Sequence, residues 1–481
     1  MVLPDAPKQR NCGRRTRAIR RGPERLRILW LDHLYPMKTL FPAQQKALDF
    51  FLEAQNLGKA TLDSSVVGTG KTVVAVHLTQ KVDRPVGVIC PKAVITNWKR
   101  EFAEHGIEPL FILNYEQIRN GRTPHLNKVG KKIMRWTIPA NTLLIFDEVH
   151  KSKGAFTQNA QLLISAKQHG LGIHLLSATA CEDPTEMRAI GFALGLHSLN
   201  NSKEQLRSWT SWMYSVGCKQ DTWGGWYLAD RTKLKDLRSK IYRENLNGFR
   251  LTVEDFPDSF RNNRVHVLAV KCQKSVGAAY SKQGLTENDL VNYIENEVVS
   301  ESPDEEPFIV RLLRARQEAE LDKVPDLLAL ATDYMDQGLA VVIFVNFRAT
   351  AQALSESLGC RTIQGGQTAE ARQEAVDRFQ ADQDQVLVAN IEAGGTGLSL
   401  HDITGLRPRV SLISPTFNAK SHIQVLGRIH RNGSKSDALQ QIVVAADTVE
   451  ESVMNAINRK CKNLRDLHGF EISLDEQTLL D

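Results

Sequence analysis

The sequence predicts an α/β protein: two parallel-sheet lobes in tandem, with a helical insertion and linker between them. Three observations predict it. A glycine-rich loop, Ser64-Ser65-Val66-Val67-Gly68-Thr69-Gly70-Lys71-Thr72, stands between a stretch of strand character and the apolar, helix-like run Val73–Leu78. On both sides of the middle, short apolar runs closed by polar residues or proline alternate with helical patterns, as buried parallel strands and their crossover helices do. Residues 197–325 break that alternation with helical charge patterns and four tryptophans, Trp209, Trp212, Trp223 and Trp226.

Composition narrows the class. A chain of 481 residues has room for about three units. No apolar run approaches the roughly 20 residues needed to span a bilayer. The N-terminus has no apolar core after its charges, so no secretory signal is read. The seven cysteines are scattered without a CxxC pair, which excludes a zinc ribbon or a disulfide framework. An intracellular setting is expected, cytoplasm or nucleoid if the source is prokaryotic or viral. The formal charge of +6 is concentrated in residues 1–27, where nine Lys/Arg face only Asp5 and Glu24. Such a basic arm suits phosphate contacts with nucleic acid; a solvated tail is the plain alternative.

The glycine-rich loop reads as a phosphate cradle. Gly68 and Gly70 let the backbone curl so that several N–H groups, with Thr69 among them, face one anion, and the following helix presents its positive end there. Lys71 reaches the outer phosphates of a nucleotide, and the Thr72 hydroxyl is a ligand for Mg²⁺. Ser65 stands where such loops ordinarily open with glycine. Upstream, Gln44 in Leu40-Phe41-Pro42-Ala43-Gln44 carries the donor and acceptor that an adenine edge needs.

After the loop helix, Val86–Cys90 closed by Pro91 reads as a buried strand. It feeds Lys92, Asn97 and Lys99, polar groups placed to meet phosphates at a strand's C-terminal end. Trp98 and Phe102, four apart, read as core. Next, Leu143-Leu144-Ile145-Phe146 ends in Asp147-Glu148-Val149-His150. Two carboxylates at the end of a buried strand are costly unless used. Asp147 is placed to hold Mg²⁺, and Glu148 to orient and deprotonate an attacking water. His174-Leu175-Leu176 then leads into Ser177-Ala178-Thr179, small hydroxyl residues suited to bonding the acidic loop.

The tryptophan-rich stretch reads as a small helical core in preference to a base-stacking surface, and Val298–Glu306 as an exposed acidic connector. A second α/β unit opens near Val324. Its strands are Leu339–Val345, followed by Asn346-Phe347-Arg348, and Gln385–Ala389. It has no phosphate loop of its own. It offers Gly394-Gly395-Thr396-Gly397-Leu398 and then Gln424–Arg431, where Arg428 and Arg431 share a face if the segment is helical. Guanidiniums match phosphate geometry and stay charged, so the phosphates held by the first unit are their apt partner.

In order and spacing these motifs resemble helicase superfamily two, and within it the Swi/Snf-type ATPases. The resemblance runs over about residues 38–460, and Gly427-Arg428-Ile429-His430-Arg431-Asn432-Gly433 is especially similar to the family's last motif. Gly224-Gly225-Trp226 with Leu237–Leu251 resembles the annealing-helicase, fork-remodelling branch. Pro415-Thr416-Phe417-Asn418 departs from the family's element before the last motif. The resemblance implies a basic arm (1–27), a RecA-like ATP-binding lobe (28–196), the insertion and linker (197–325) and a second RecA-like lobe (326–481). It implies ATP and Mg²⁺, with Lys71, Asp147, Glu148, Arg428 and Arg431 catalytic. Gln44, Gly68, Thr69, Gly70, Lys71, Thr72 and Gly397 would hold nucleotide, and Thr72 and Asp147 the metal. Lys92, Asn97, Lys99, Arg348 and Thr396 would grip nucleic acid. It further implies a monomeric, ATP-driven motor on double-stranded or forked DNA, working with replication, repair or transcription proteins and not at a membrane.

Two other readings stay open. A strand-separating DNA or RNA helicase would carry a wedge hairpin in the second lobe, which the sequence does not show. A nucleic-acid-binding adaptor with a degenerate ATP site rests on Ser65.

Overall fold

Leu143 to Phe146 is wholly buried, and its side chains divide between two cores. Leu143 and Ile145 join Phe51, Val74 and Val88 on one face of a sheet; Leu144 and Phe146 join Leu162, Ile173 and Leu175 on the other. This is the period of two that a strand covered on both faces must show. Each such side chain taken from water contributes about 1.5–3 kcal/mol.

The computed structural model describes residues 39–129, 133–154, 156–201, 207–244, 247–272, 276–296, 306–394, 398–468 and 475–480. The basic arm, most of the acidic connector, Thr396 and Gly397 lie outside the described residues. Among the described residues, no helix is long and apolar enough to cross a membrane.

The first sheet has six parallel strands in the order Gly248–Phe249, Thr61–Asp63, Gly172–Leu176, Leu143–Asp147, Val86–Cys90, Phe111–Asn114. The second has seven, also parallel: Arg361–Ile363, Val386–Asn390, Ala340–Val345, Arg409–Ile413, Ala438–Ala445, Asn263–Val270, Asp475–Leu480. In the second sheet, too, Val341 and Ile343 face one core while Val342 and Phe344 face the other. Both sheets belong to one body, Thr39–Asp481.

Residues 197–325 carry strands among their helices. They hold helices such as Trp209–Ser215, Lys233–Ser239 and Phe308–Asp322, but also a hairpin, Cys218–Gln220 with Trp226–Leu228. They give Gly248–Phe249 to the first sheet and Asn263–Val270 to the second. A two-residue strand has no periodicity to read, and Asn263–Val270 pairs register for register with Ala438–Ala445, far away in the chain. Trp209 and Trp212 are core, as expected, with rings 5.5 Å apart; Trp223 is not, being 94% exposed.

Candidate active site

The loop after strand Thr61–Asp63 is curled as its glycines predict. Gly68 and Gly70 both have φ of 91°, the left-handed region that glycine enters without strain. The helix Lys71–Val82 starts directly after Gly70. Lys71 Nζ donates to the carbonyls of Ser65 at 2.7 Å and Val66 at 3.2 Å, which holds the ammonium inside the curl. Burial lowers its pKa, and the charges of Asp63, Glu148 and Asp147 oppose that shift.

Ser65 has a structural task. Its N–H donates to Asp63 Oδ1 at 2.9 Å, and its hydroxyl accepts the Leu251 N–H at 2.9 Å. Val66 N–H donates to Leu251 O at 3.0 Å, Arg250 Nη1 to Ser64 O at 2.6 Å, and Tyr242 Oη lies 2.7 Å from Ser64 Oγ. Tyr242, Arg250 and Leu251 therefore brace the loop from behind. Their contacts with the loop cross some 180 residues and leave no local signal in the sequence.

Gln44 is buried against the loop. Its Nε2 donates to Thr69 O at 2.7 Å while its Oε1 accepts the Phe41 N–H at 3.0 Å, which closes the first turn of helix Pro42–Asn56. A Cβ on Gly70 would stand 2.4 Å from Gln44 Nε2, so glycine is required there for this approach.

The acidic pair ends strand Leu143–Asp147. Asp147 Oδ2 accepts from the Trp98 indole at 2.9 Å and Oδ1 from the Glu148 N–H at 2.9 Å. Tyr115 Oη donates to Asp147 O at 2.9 Å. Glu148 sits at φ 52°, a turn that swings its carboxylate out of line with Asp147. Its Oε2 is 3.2 Å from His150 Nδ1 and 3.5 Å from Ser177 Oγ. Burial, then the charge of Glu148, raises the Asp147 pKa. Burial would also raise Glu148, but the bond and charge of His150, with Lys71 and Arg428, outweigh it and lower the pKa. Sequence reasoning placed Trp98 in the core; it missed that the buried ring spends its one donor on Asp147.

The second sheet closes over this face. A Cβ on Gly68 would meet Arg431 Cγ at 3.1 Å, and one on Gly427 would meet Val67 Cγ1 at 2.4 Å. Ala178, Ala419 and Ile423 pack with Val66 and Val67. Arg428 is buried; Glu148's charge supports its guanidinium, while burial pulls its pKa down to about 10. Its Nη1 donates to Leu398 O at 3.1 Å. Arg431 is pulled down to about 9 by burial and by Arg428. It donates from Nε to Gly427 O at 3.0 Å and from Nη1 to Ser399 Oγ at 2.8 Å. The two arginines do not share a helix face: helix Ala419–Leu426 stops first, and a turn at Gly427 brings them to the seam.

Ion pairs extend the seam. Lys420, buried, reaches Glu186 at 3.0 Å and Glu182 at 3.6 Å, and Lys460 reaches Glu182 at 3.4 Å. The connector between the sheets is bonded to the arginine turn: Gly433 N–H donates to Ser259 O at 2.8 Å, and His430 Nε2 lies 2.9 Å from Arg261 O. A cavity of about 620 Å³ opens beside the seam, lined by Glu182, Arg316, Asn346, Phe347, Phe417 and Lys460 among others. The Arg316 guanidinium lies 4.2 Å from the Phe417 ring centre and 5.7 Å from that of Phe347.

The donor set fits a magnesium nucleotide. The Lys71 ammonium, the glycine-curled loop and the acidic pair come together from one sheet, with Thr72 next to Lys71 in the chain and two guanidiniums from the other sheet. The nucleic-acid candidates are more dispersed. Lys92 and Lys99 are exposed, and Asn97 Oδ1 accepts from Arg100 at 2.8 Å, all on one segment after Val86–Cys90. Arg348 is exposed at the start of helix Arg348–Leu358, beyond strand Ala340–Val345. Thr396 and Gly397 are outside the described residues.

Residues 320–433 match a family model described as the helicase conserved C-terminal domain. A protein of Acanthamoeba polyphaga mimivirus named as an ATP-dependent RNA helicase is 30% identical over 455 residues, 86% of this chain and 82% of that one. A Caenorhabditis elegans protein, named as the homologue of SWI/SNF-related matrix-associated actin-dependent regulator of chromatin subfamily A-like protein 1, is 22% identical over 88% of this chain and 61% of its own length. Among solved structures, S. cerevisiae Dbp5 bound to RNA and ADP BeF3 aligns with a TM-score of 0.50 and 14% identity, over 91% of this chain and 89% of that one. That is a likeness of fold: two RecA-like lobes in tandem.

Proposed function

This chain belongs to helicase superfamily two as a Swi/Snf-type ATPase, and from that premise we propose that it couples ATP hydrolysis to movement along duplex DNA. The observation that carries the reading is the seam, where Arg428 and Arg431 from the second sheet stand against Glu148 and Gly68 of the first.

In this reading residues 28–196 form the ATP-binding lobe and residues 326–481 the lobe that completes the site. Gln44 and Gly68–Thr72 bind the nucleotide, with Lys71 on its outer phosphates. Thr72 and Asp147 would hold Mg²⁺, which when bound would supply positive charge against the phosphates. Glu148 orients the attacking water and takes its proton; His150 and Ser177 hold the carboxylate in place. Arg428 and Arg431 meet the charge that develops on the transferred group. Closing and opening of the seam then shifts two grips on the phosphate backbone relative to each other: Lys92, Asn97 and Lys99 on one lobe, Arg348 and Thr396 on the other.

The mimivirus relative, named as an RNA helicase, supports a second reading: strand separation on RNA. ATPase rate measured against single-stranded, duplex, forked and RNA ligands separates the two. Duplex DNA should raise the rate most, and added salt should lower that stimulation. Stimulation by RNA alone would replace the first reading with the second. ATP binding without turnover on every ligand would favour a regulatory adaptor.

A further inference from the structure

We propose that the hairpin Cys218–Leu228 is a nucleic-acid contact outside the two lobes, on which Trp223 stacks an unpaired base. The proposal rests on the reading of this chain as a nucleic-acid motor and adds the strand state that it recognises.

The hairpin has two faces. Cys218, Trp226 and Leu228 face inward; Cys218 is buried, and Trp226 packs on Tyr214 with ring centres 5.2 Å apart. Lys219 and Tyr227, paired across the strands, face out and are exposed. The tip is built, not loose. Asp221 Oδ1 accepts the N–H groups of Trp223 at 2.9 Å and Gly225 at 2.7 Å. Asp221 N–H donates to Gly225 O at 2.9 Å, and Gly224 takes φ of 82°. This rigid turn holds Trp223 at 94% exposure. A large ring held out in water on a bonded turn, with Tyr227 exposed on the same hairpin, is available to cover another apolar face.

Charge selects the partner. Lys219, Arg231, Lys233, Lys235 and Arg238 are exposed on the hairpin and the helix that follows it. Three acids stand among these five cations: Asp221 in the turn, Asp230 with the Thr232 N–H and hydroxyl, and Asp236 paired with Lys233, so positive charge is in excess. Exposed aromatics interleaved with surplus Lys and Arg are the pattern of a single-strand platform, in which cations follow the backbone and rings take the bases. A base inside a duplex is already stacked on both faces, so Trp223 needs an unpaired one. The hairpin also stands close to the moving parts. Its return strand packs against Pro184–Met187, the turn from which Glu186 reaches Lys420 of the second lobe.

The test is equilibrium binding of the full chain to a blunt DNA duplex and to the same duplex with an unpaired tail, at one salt concentration. Trp223→Ala should lose roughly tenfold on the tailed substrate and nothing on the blunt one. Trp223→Tyr should stay within about threefold of the parent on both. Because the ring is solvent-exposed, the thermal midpoint should not move. Equal loss on both substrates, or no loss on either, overturns the proposal, and the second outcome assigns the tip to a protein partner instead. The ATPase rate of the unaltered chain with and without the blunt duplex decides the motor reading separately.

Discussion

Gly427 passes so close to Val67 that a Cβ added to it would stand 2.4 Å from Val67 Cγ1. The two residues belong to different sheets, so the absence of a side chain at 427 sets how tightly the halves of the site can meet. Gly427→Ala should wedge the seam open. Overpacking of this kind costs about 1–3 kcal/mol, enough to lower the closed-to-open ratio by roughly 5- to 160-fold. Steady-state ATPase should fall accordingly, while binding of a fluorescent ATP analogue to the first lobe stays within a few-fold.

Arg428 and Arg431 should separate turnover from binding. Replacing either by Ala should lower kcat by about 10³-fold or more, the scale of an arginine finger, with little change in nucleotide Kd. Lysine should not rescue either one, because a single ammonium cannot reproduce the planar fork. Unchanged kcat in both variants would remove the seam from the chemistry.

Lys420 should matter to cohesion between the lobes. Its ammonium is almost fully buried between Glu182 and Glu186, and its loss would leave Glu186 to Lys153 and Glu182 to Lys460 alone. Lys420→Ala should cost about 1.5–3 kcal/mol in denaturant unfolding, and ATPase should become less sensitive to salt. A variant as stable as the parent would show these pairs to be incidental.

Acid should destabilise the fold through two buried imidazoles. Burial holds His174 at about 3 and His422 at about 4, against 6.5 in a free side chain. The folded chain thus refuses protons that the unfolded chain accepts. The stability from keeping them neutral is complete above about pH 6.5 and is lost as pH falls toward 4. At pH 5 each should cost about 2 kcal/mol relative to pH 7.5. His174→Gln should flatten the acid limb of a stability–pH curve by about one proton; an unaltered limb would contradict the assignment.

The parts of the site that were legible in the sequence are those made by neighbours in the chain. Lys71 follows its glycines directly, and Asp147 with Glu148 ends an apolar run, so position alone announced them. Arg428 and Arg431 were legible as residues, but the geometry was not: Gly427 replaces the helix with a turn. The missing pieces are made at a distance. Trp98 looked like any core aromatic until its indole N–H was found on Asp147. The brace from Tyr242 to Leu251 and the ion pairs from Glu182 and Glu186 to Lys420 link positions some 180–240 residues apart, where no periodicity reports a contact. One strand inside the insertion went unread for the same reason, since Asn263–Val270 is a strand only because Ala438–Ala445 exists to receive it.

That pairing sets a schedule for the newborn polypeptide. Residue 263 leaves the ribosome 175 positions ahead of its partner at 438, a wait of about 9–35 s at roughly 5–20 residues per second. Until then the Arg409–Ile413 strand has nothing beside it on that flank, and the Asn263–Val270 edge lies open to other chains. Slower translation, or a stop codon before Ala438, should therefore yield aggregates in preference to a shorter working motor.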